Sequence, residues 1–198
     1  GYGLLVAHHR GALAHLVDLL CDPEKTARIA AVQALAATGR EDAALLLRLK
    51  ALTGDREYEV IGECLTGLLN LAAGEAIPFI ARFLKKAPPD VRLEAAAAPG
   101  SSREPVAFAA LRDCWQTEVE REFRKALLIA IGSSRQPDAV DFLLGLVSSH
   151  PVPLAIDALA ALAPCRFYAD IRTRVAETVQ QRGERELTRA FERGFREP

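Results

Sequence analysis

The hexapeptide Gly100-Ser101-Ser102-Arg103-Glu104-Pro105 returns 32 residues later as Gly132-Ser133-Ser134-Arg135-Gln136-Pro137. Each copy follows an alanine-rich apolar segment and precedes a second one, Val106 to Leu111 and Ala139 to Leu144. One hexapeptide means little, but two in the same context mark a tandem repeat. A period of this size means stacked supersecondary units. The register extends well beyond the hexapeptide. Ala27, Val60, Val91, Phe123 and Ala155 share one phase, separated by 33, 31, 32 and 32 residues. Ala36, Gly100 and Gly132 share a second phase, and Ala43, Ala107 and Ala139 a third. Generic amphipathic helices do not keep step at several positions at once, so the repeat is real.

Each unit reads as a helical hairpin. Leu13, Leu16, Val17 and Leu20 form a first apolar stripe at helical spacing. Asp22-Pro23 then opens the first full unit, with Asp22 predicted as N-cap and Pro23 at the first helical position. Its first helix carries Ala27, Ala30, Ala31, Ala34 and Leu35 towards a stop at Gly39. Its second runs from Glu41 to Leu52, with Leu45, Leu46, Leu49 and Leu52 as the expected apolar face. In the next unit Val60, Cys64, Leu65 and Leu68 lead to a break at Ala73-Gly74. Ile77, Ile80, Phe83 and Leu84 follow, before Ala87-Pro88-Pro89 ends the helix. The third unit starts at Asp90 with a first helix that Pro99 is expected to cut short, and its second helix holds Val106, Leu111 and Trp115. The fourth pairs Phe123 to Ile131 with Val140 to Val147, and the fifth pairs Leu154 to Ala163 with Tyr168 to Gln181 across Pro164. A charged closing segment, Arg185 to Arg196, keeps a thin stripe of Leu187, Ala190, Phe191 and Phe195, which suits a polar end-cap.

Composition narrows the function. Alanine and leucine dominate, aromatics are 6%, and Met is absent, as in closely packed helices. The formal charge of −1 gives no global field towards nucleic acid or a membrane. No apolar run is expected to reach the length a transmembrane helix needs. Leu4-Leu5-Val6-Ala7 is too short for a signal-peptide core. Cys21, Cys64, Cys114 and Cys165 form no CxxC pair and read as small core residues of a cytoplasmic protein. His8, His9 and His15 lack a partner at metal-ligand spacing. The serine pairs invite a nucleophile reading, but their recurrence in the repeat turn marks them as turn chemistry. No GxSxG, P-loop, dinucleotide fingerprint or HExxH is present. No cofactor, metal or catalytic residue is assigned.

Arg follows the phase residue in Ala27-Arg28, Val91-Arg92 and Phe123-Arg124, with alanine shortly after. That pattern, at a period near 32, resembles the short HEAT-like repeats of bacterial proteins, the type found in phycobilin lyases. The resemblance covers residues 22–182 and breaks at Ile61, Ile156 and Pro164. It implies an all-α, right-handed α-solenoid of about five HEAT-like helical hairpins, a single domain over 1–198 with a partial repeat at 1–21 and a capping helix at 184–198. The physics agrees. A helix of about 12 residues is roughly 18 Å long and marginal alone. Two such helices cannot cover their own apolar face, so each hairpin must stack on the next.

The expected function is a non-catalytic protein-interaction scaffold with a concave helical surface for a protein partner. The candidate partner-binding residues are Arg48, Arg82, Lys85 and Arg112, a cationic row on the second helices with Lys50 and Lys86 nearby, and the single tryptophan, Trp115. Two alternatives accompany this reading. Family likeness alone suggests a bilin (tetrapyrrole) lyase-like or chaperone-like helper. The basic row suggests an anion or nucleic-acid binder, which the overall charge balance disfavours.

Overall fold

Every regular element among the described residues, 11–195 of the computed structural model, is helical: eleven α-helices and one 3₁₀ turn. The chain groups into two compact units, Gly1–Pro99 and Gly100–Pro198. Each unit is a run of short helices separated by tight turns, as the repeat requires. His8, His9 and the Leu4 to Ala7 run lie outside the described residues.

In the first unit, helices Ala12–Leu19, Lys25–Ala36 and Glu41–Thr53 precede Tyr58–Lys86. The last of these is two helices joined at Ala72, whose φ of −160° and ψ of 77° leave the helical region. The break falls beside the expected Ala73-Gly74. The two halves together correct one expectation. The 29-residue span contains an 18-residue window of mean hydropathy 1.5, so by length and composition it could cross a membrane. Its interruption at Ala72 divides it, and Val60, Leu65, Leu68, Ile80 and Leu84 are buried in the protein.

Successive first helices lie against each other over the second helix between them. A Cβ built on Gly67 would come within 3.1 Å of the Ala36 methyl and 2.9 Å of Leu47 Cδ1. Several local expectations change here. Asp22 does not cap; the Lys25–Ala36 helix starts after Glu24, and Asp22 Oδ1 accepts the Glu24 N–H at 2.7 Å in a preceding turn. Ala30 is exposed, because the buried face is Arg28, Ala31, Val32, Ala34 and Leu35. Arg28 is inside for a reason. It makes a two-pronged contact with Asp55, both bonds 2.9 Å, and donates to the carbonyls of Asp22 and Pro23. Lys50 closes on Asp55 at 2.7 Å from the other side. One carboxylate thus ties the end of one second helix to the start of a first helix.

The Glu41–Thr53 helix is turned relative to expectation. Ala43, Leu47 and Ala51 are its buried residues, and Leu45, Leu49 and Leu52 face solvent. The segment is apolar nearly all round, so its own pattern selects no face. Packing chose the one on which two alanines let the neighbours approach closely.

The second unit shows the repeat turn at work. Pro105 and Pro137 of the two hexapeptides are the first residues of helices Pro105–Thr117 and Pro137–Ser149, where a missing N–H costs nothing. Ser102 Oγ accepts the Glu104 N–H at 3.2 Å, and Ser134 Oγ donates to the Ile131 carbonyl at 2.7 Å. Gln136 Nε2 reaches back one repeat to the carbonyls of Ser102 and Glu104, at 3.3 and 3.1 Å. Arg182 repeats the device, donating to the carbonyls of Val147 and His150.

Neither hexapeptide glycine is a left-handed helix stop. Gly132 lies within Arg121–Ser134, and Gly100 is the last residue of Pro89–Gly100, a 12-residue helix that Pro99 does not shorten. A Cβ on Gly100 would sit 2.8 Å from the Ala130 carbonyl oxygen, and one on Gly132 far inside contact distance of Ala161. Their role is backbone approach between consecutive first helices. The left-handed stop after the fourth first helix falls instead on Arg135, at φ 53°. Val152–Leu162 ends in the 3₁₀ turn Ala163–Cys165 at Pro164, and Arg185–Gly194 lies over Val152–Leu162 with Leu187 and Phe195 buried.

All four cysteines are free. Cys64, Cys114 and Cys165 are core residues as expected, but Cys21 is exposed. Burial pushes the Cys64 thiol up to about 12, which leaves it protonated and unreactive at neutral pH.

Candidate protein-binding face

On the Glu41–Thr53 helix, Leu45, Leu49 and Leu52 lie at i, i+4 and i+7, one stripe two turns long. They are 68, 57 and 58% exposed. Single exposed leucines are ordinary, but a row on one stripe is not. Arg48 sits within this stripe, three residues beyond Leu45. Its guanidinium donates to the Glu75 carbonyl at 2.9 Å and lies 5.0 Å over the Phe79 ring. That contact sets the Glu41–Thr53 helix beside the second half of Tyr58–Lys86. After the buried Phe79, Arg82, Phe83 and Lys86 follow at i+3, i+4 and i+7, with Arg82 and Lys86 exposed and Phe83 half-buried. Phe79 packs on Phe83 with ring centroids 5.1 Å apart.

The predicted cations therefore separate into different states. Arg82 and Lys85 are exposed, as is Lys86, and none has an ion-pair partner among the described residues. Arg48 is half-buried and engaged with backbone and ring. Lys50 is not available at all, since Asp55 holds it. Arg112 belongs to the second unit, where it lies 5.6 Å over Phe108 and 3.4 Å from Asp113. Trp115 shares its helix but is only 6% exposed, edge-on to Phe142 at 5.4 Å and roofed by Arg124 at 4.5 Å. The structure gives it the surroundings of a packing residue.

The helical pattern of the sequence assigns the leucine row to the core. One signal was available. Leu45-Leu46-Leu47 with Leu49 and Leu52 is more apolar than a hairpin helix needs, and the surplus must go somewhere.

Elsewhere in the second unit, two open clefts are present. One of about 510 Å³ is lined by Ile156, Glu186, Arg189, Glu192 and Arg193. The other, about 320 Å³, has Arg121, Arg124 and Lys125 around Leu128 and Leu154. Among the described residues no group of three His, Cys, Asp or Glu could hold a metal ion.

The family comparison fits this architecture: residues 45–132 match the HEAT-repeat sequence model. That stretch carries HEAT repeats. The match covers the leucine row and Arg48 at one end and the second hexapeptide's Gly132 at the other. Comparison with curated proteins gives no match. Thirteen chains of solved structure match. One of them, the crystal structure of an engineered protein, is 17% identical, covers 92% of this chain and 94% of that one, and superposes with a TM-score of 0.43. Within that stretch, the Arg48 contacts to Glu75 and Phe79 bring Glu41–Thr53 and the second half of Tyr58–Lys86 together. The bacterial and phycobilin-lyase aspects of the resemblance are not part of that match.

Proposed function

We propose that this HEAT-repeat chain is a non-catalytic scaffold that binds a protein partner through the second helices of its first unit. The observation that carries the reading is the row Leu45, Leu49 and Leu52, left in solvent on a helix that Arg48 joins to the one carrying the unpaired cations Arg82, Lys85 and Lys86. Burying such a side chain is worth about 1.5–3 kcal/mol relative to leaving it exposed. A surface that forgoes this several times over along one stripe gains it back when covered. Affinity would come from the leucine anchors, and the cations would steer encounter and fix register. The tetrapyrrole alternative rests on family likeness alone, and the leucine row does not single it out.

Photo-crosslinking tests the proposal. A benzophenone amino acid placed at Leu49 is expected to capture a discrete protein in lysate of the source cells, and the same probe at exposed Glu177 is not. Equal adducts at both positions, or none at Leu49, would count against it.

A further inference from the structure

We infer that the occupant of the leucine row is an acidic amphipathic helix; the inference rests on the scaffold reading and names the class of partner. Three features of the face select it. The first is geometry. Leu45 to Leu52 advances roughly 10 Å along the helix, two turns at 1.5 Å per residue. A stripe of that length and spacing matches the i, i+4, i+7 anchors of a docked helix. The second is the all-helical backbone. Among the described residues there is no strand, so no sheet edge offers hydrogen bonds to an extended peptide. A docking segment here must satisfy its own backbone, which a helix does.

The third feature is charge. The Glu41–Thr53 helix and the second half of Tyr58–Lys86, joined by Arg48, carry Arg48, Arg82, Lys85 and Lys86 against the carboxylates of Glu41 and Glu75. Asp42 and Lys50 are excluded from the balance because Arg40 and Asp55 hold them. The surplus is positive and concentrated beyond Phe79, towards the C-terminal end of the helix. Lys85 and Lys86 lie in the last turn of that helix, where they also complement its dipole. A second copy docked through this same face would bring the same surplus and double it. A segment with leucine-like anchors and flanking Asp or Glu neutralises it, so the partner is acidic.

The test is a selection from a displayed library of random 16-residue peptides against the whole chain, with binders remeasured by fluorescence anisotropy. The expected result is enrichment of sequences with apolar residues at i, i+3 or i+4, and i+7 and an excess of Asp and Glu. Their affinity is expected to fall at least tenfold with Leu49→Glu and with the pair Arg82→Glu and Lys85→Glu, and to weaken with salt. Circular dichroism is expected to leave these exposed-site variants unchanged. Binders that depend on Leu49 but carry no acidic excess would overturn this inference and leave the scaffold reading standing. No Leu49-dependent binder at all would overturn both. Concentration-dependent self-association lost in Leu49→Glu would assign the face to a second copy, and binding to phosphatidylglycerol vesicles in place of peptide would assign it to a membrane; either overturns the inference.

Discussion

At the scale of single residues, Asp55 concentrates more consequence than any other side chain in the first unit. Its side chain is 3% exposed and Arg28's is 4%, so the pair is withdrawn from water. Burial alone would raise the Asp55 carboxyl; the hydrogen bonds from Arg28 and Lys50 outweigh that and bring it down to about 2 from 3.8. A carboxyl depressed on folding stabilises the fold above its unfolded pKa and loses that contribution as pH falls through the folded value. The stabilisation, ~2 kcal/mol, is therefore expected to be complete above about pH 4 and to fade towards pH 2. Urea unfolding of the wild type and Asp55→Asn across that range measures it, the variant lacking this part of the slope. At neutral pH the same variant leaves Arg28 buried beside a neutral amide. A loss of about 3–5 kcal/mol is expected, because breaking a buried pair strands a charge. A loss under 1 kcal/mol would mean that water reaches Arg28 and the pair is not truly withdrawn.

At the scale of elements, the glycines separate two meanings that look alike in sequence. Gly132 and Gly145 are both helical. A Cβ at Gly132 would press into the Ala161 carbonyl, and one at Gly145 meets nothing within 4 Å. Gly132→Ala is expected to force the first helices of two hairpins apart at a cost of about 1–3 kcal/mol. Gly145→Ala is expected to stabilise by about 0.5–1 kcal/mol, through helix propensity and a less disordered unfolded chain. Thermal melts of the two variants shifting in the same direction would refute this account of the repeat glycine. The hexapeptide's place in the fold was legible because turn chemistry is local: a proline that opens a helix and serines that satisfy nearby backbone. That Gly132 is a contact and Arg135 the left-handed residue was not legible. Both depend on what the neighbouring hairpin places opposite.

At the scale of the molecule, contacts cluster within Gly1–Pro99 and within Gly100–Pro198. Asp55→Asn and Gly132→Ala act in different clusters and share no partner. Their effects on unfolding free energy are expected to add within about 0.5 kcal/mol. A larger coupling in the double variant would show that strain passes between the clusters.

The sequence by itself determined that this chain is helical, that its helices come in hairpins, and roughly where each begins and ends. Period, prolines and alanine-rich stripes act over a few residues, and such short-range physics survives without knowledge of the neighbours. Only the tertiary structure decided which face of an evenly apolar helix is inside. Glu41–Thr53 carries leucines on several sides, and the choice of Leu47 over Leu45, Leu49 and Leu52 belongs to the helices that pack against it. The candidate binding face was therefore hidden among residues assigned to the core. A pattern can state how much apolar surface a segment has, but not which part its neighbours will cover.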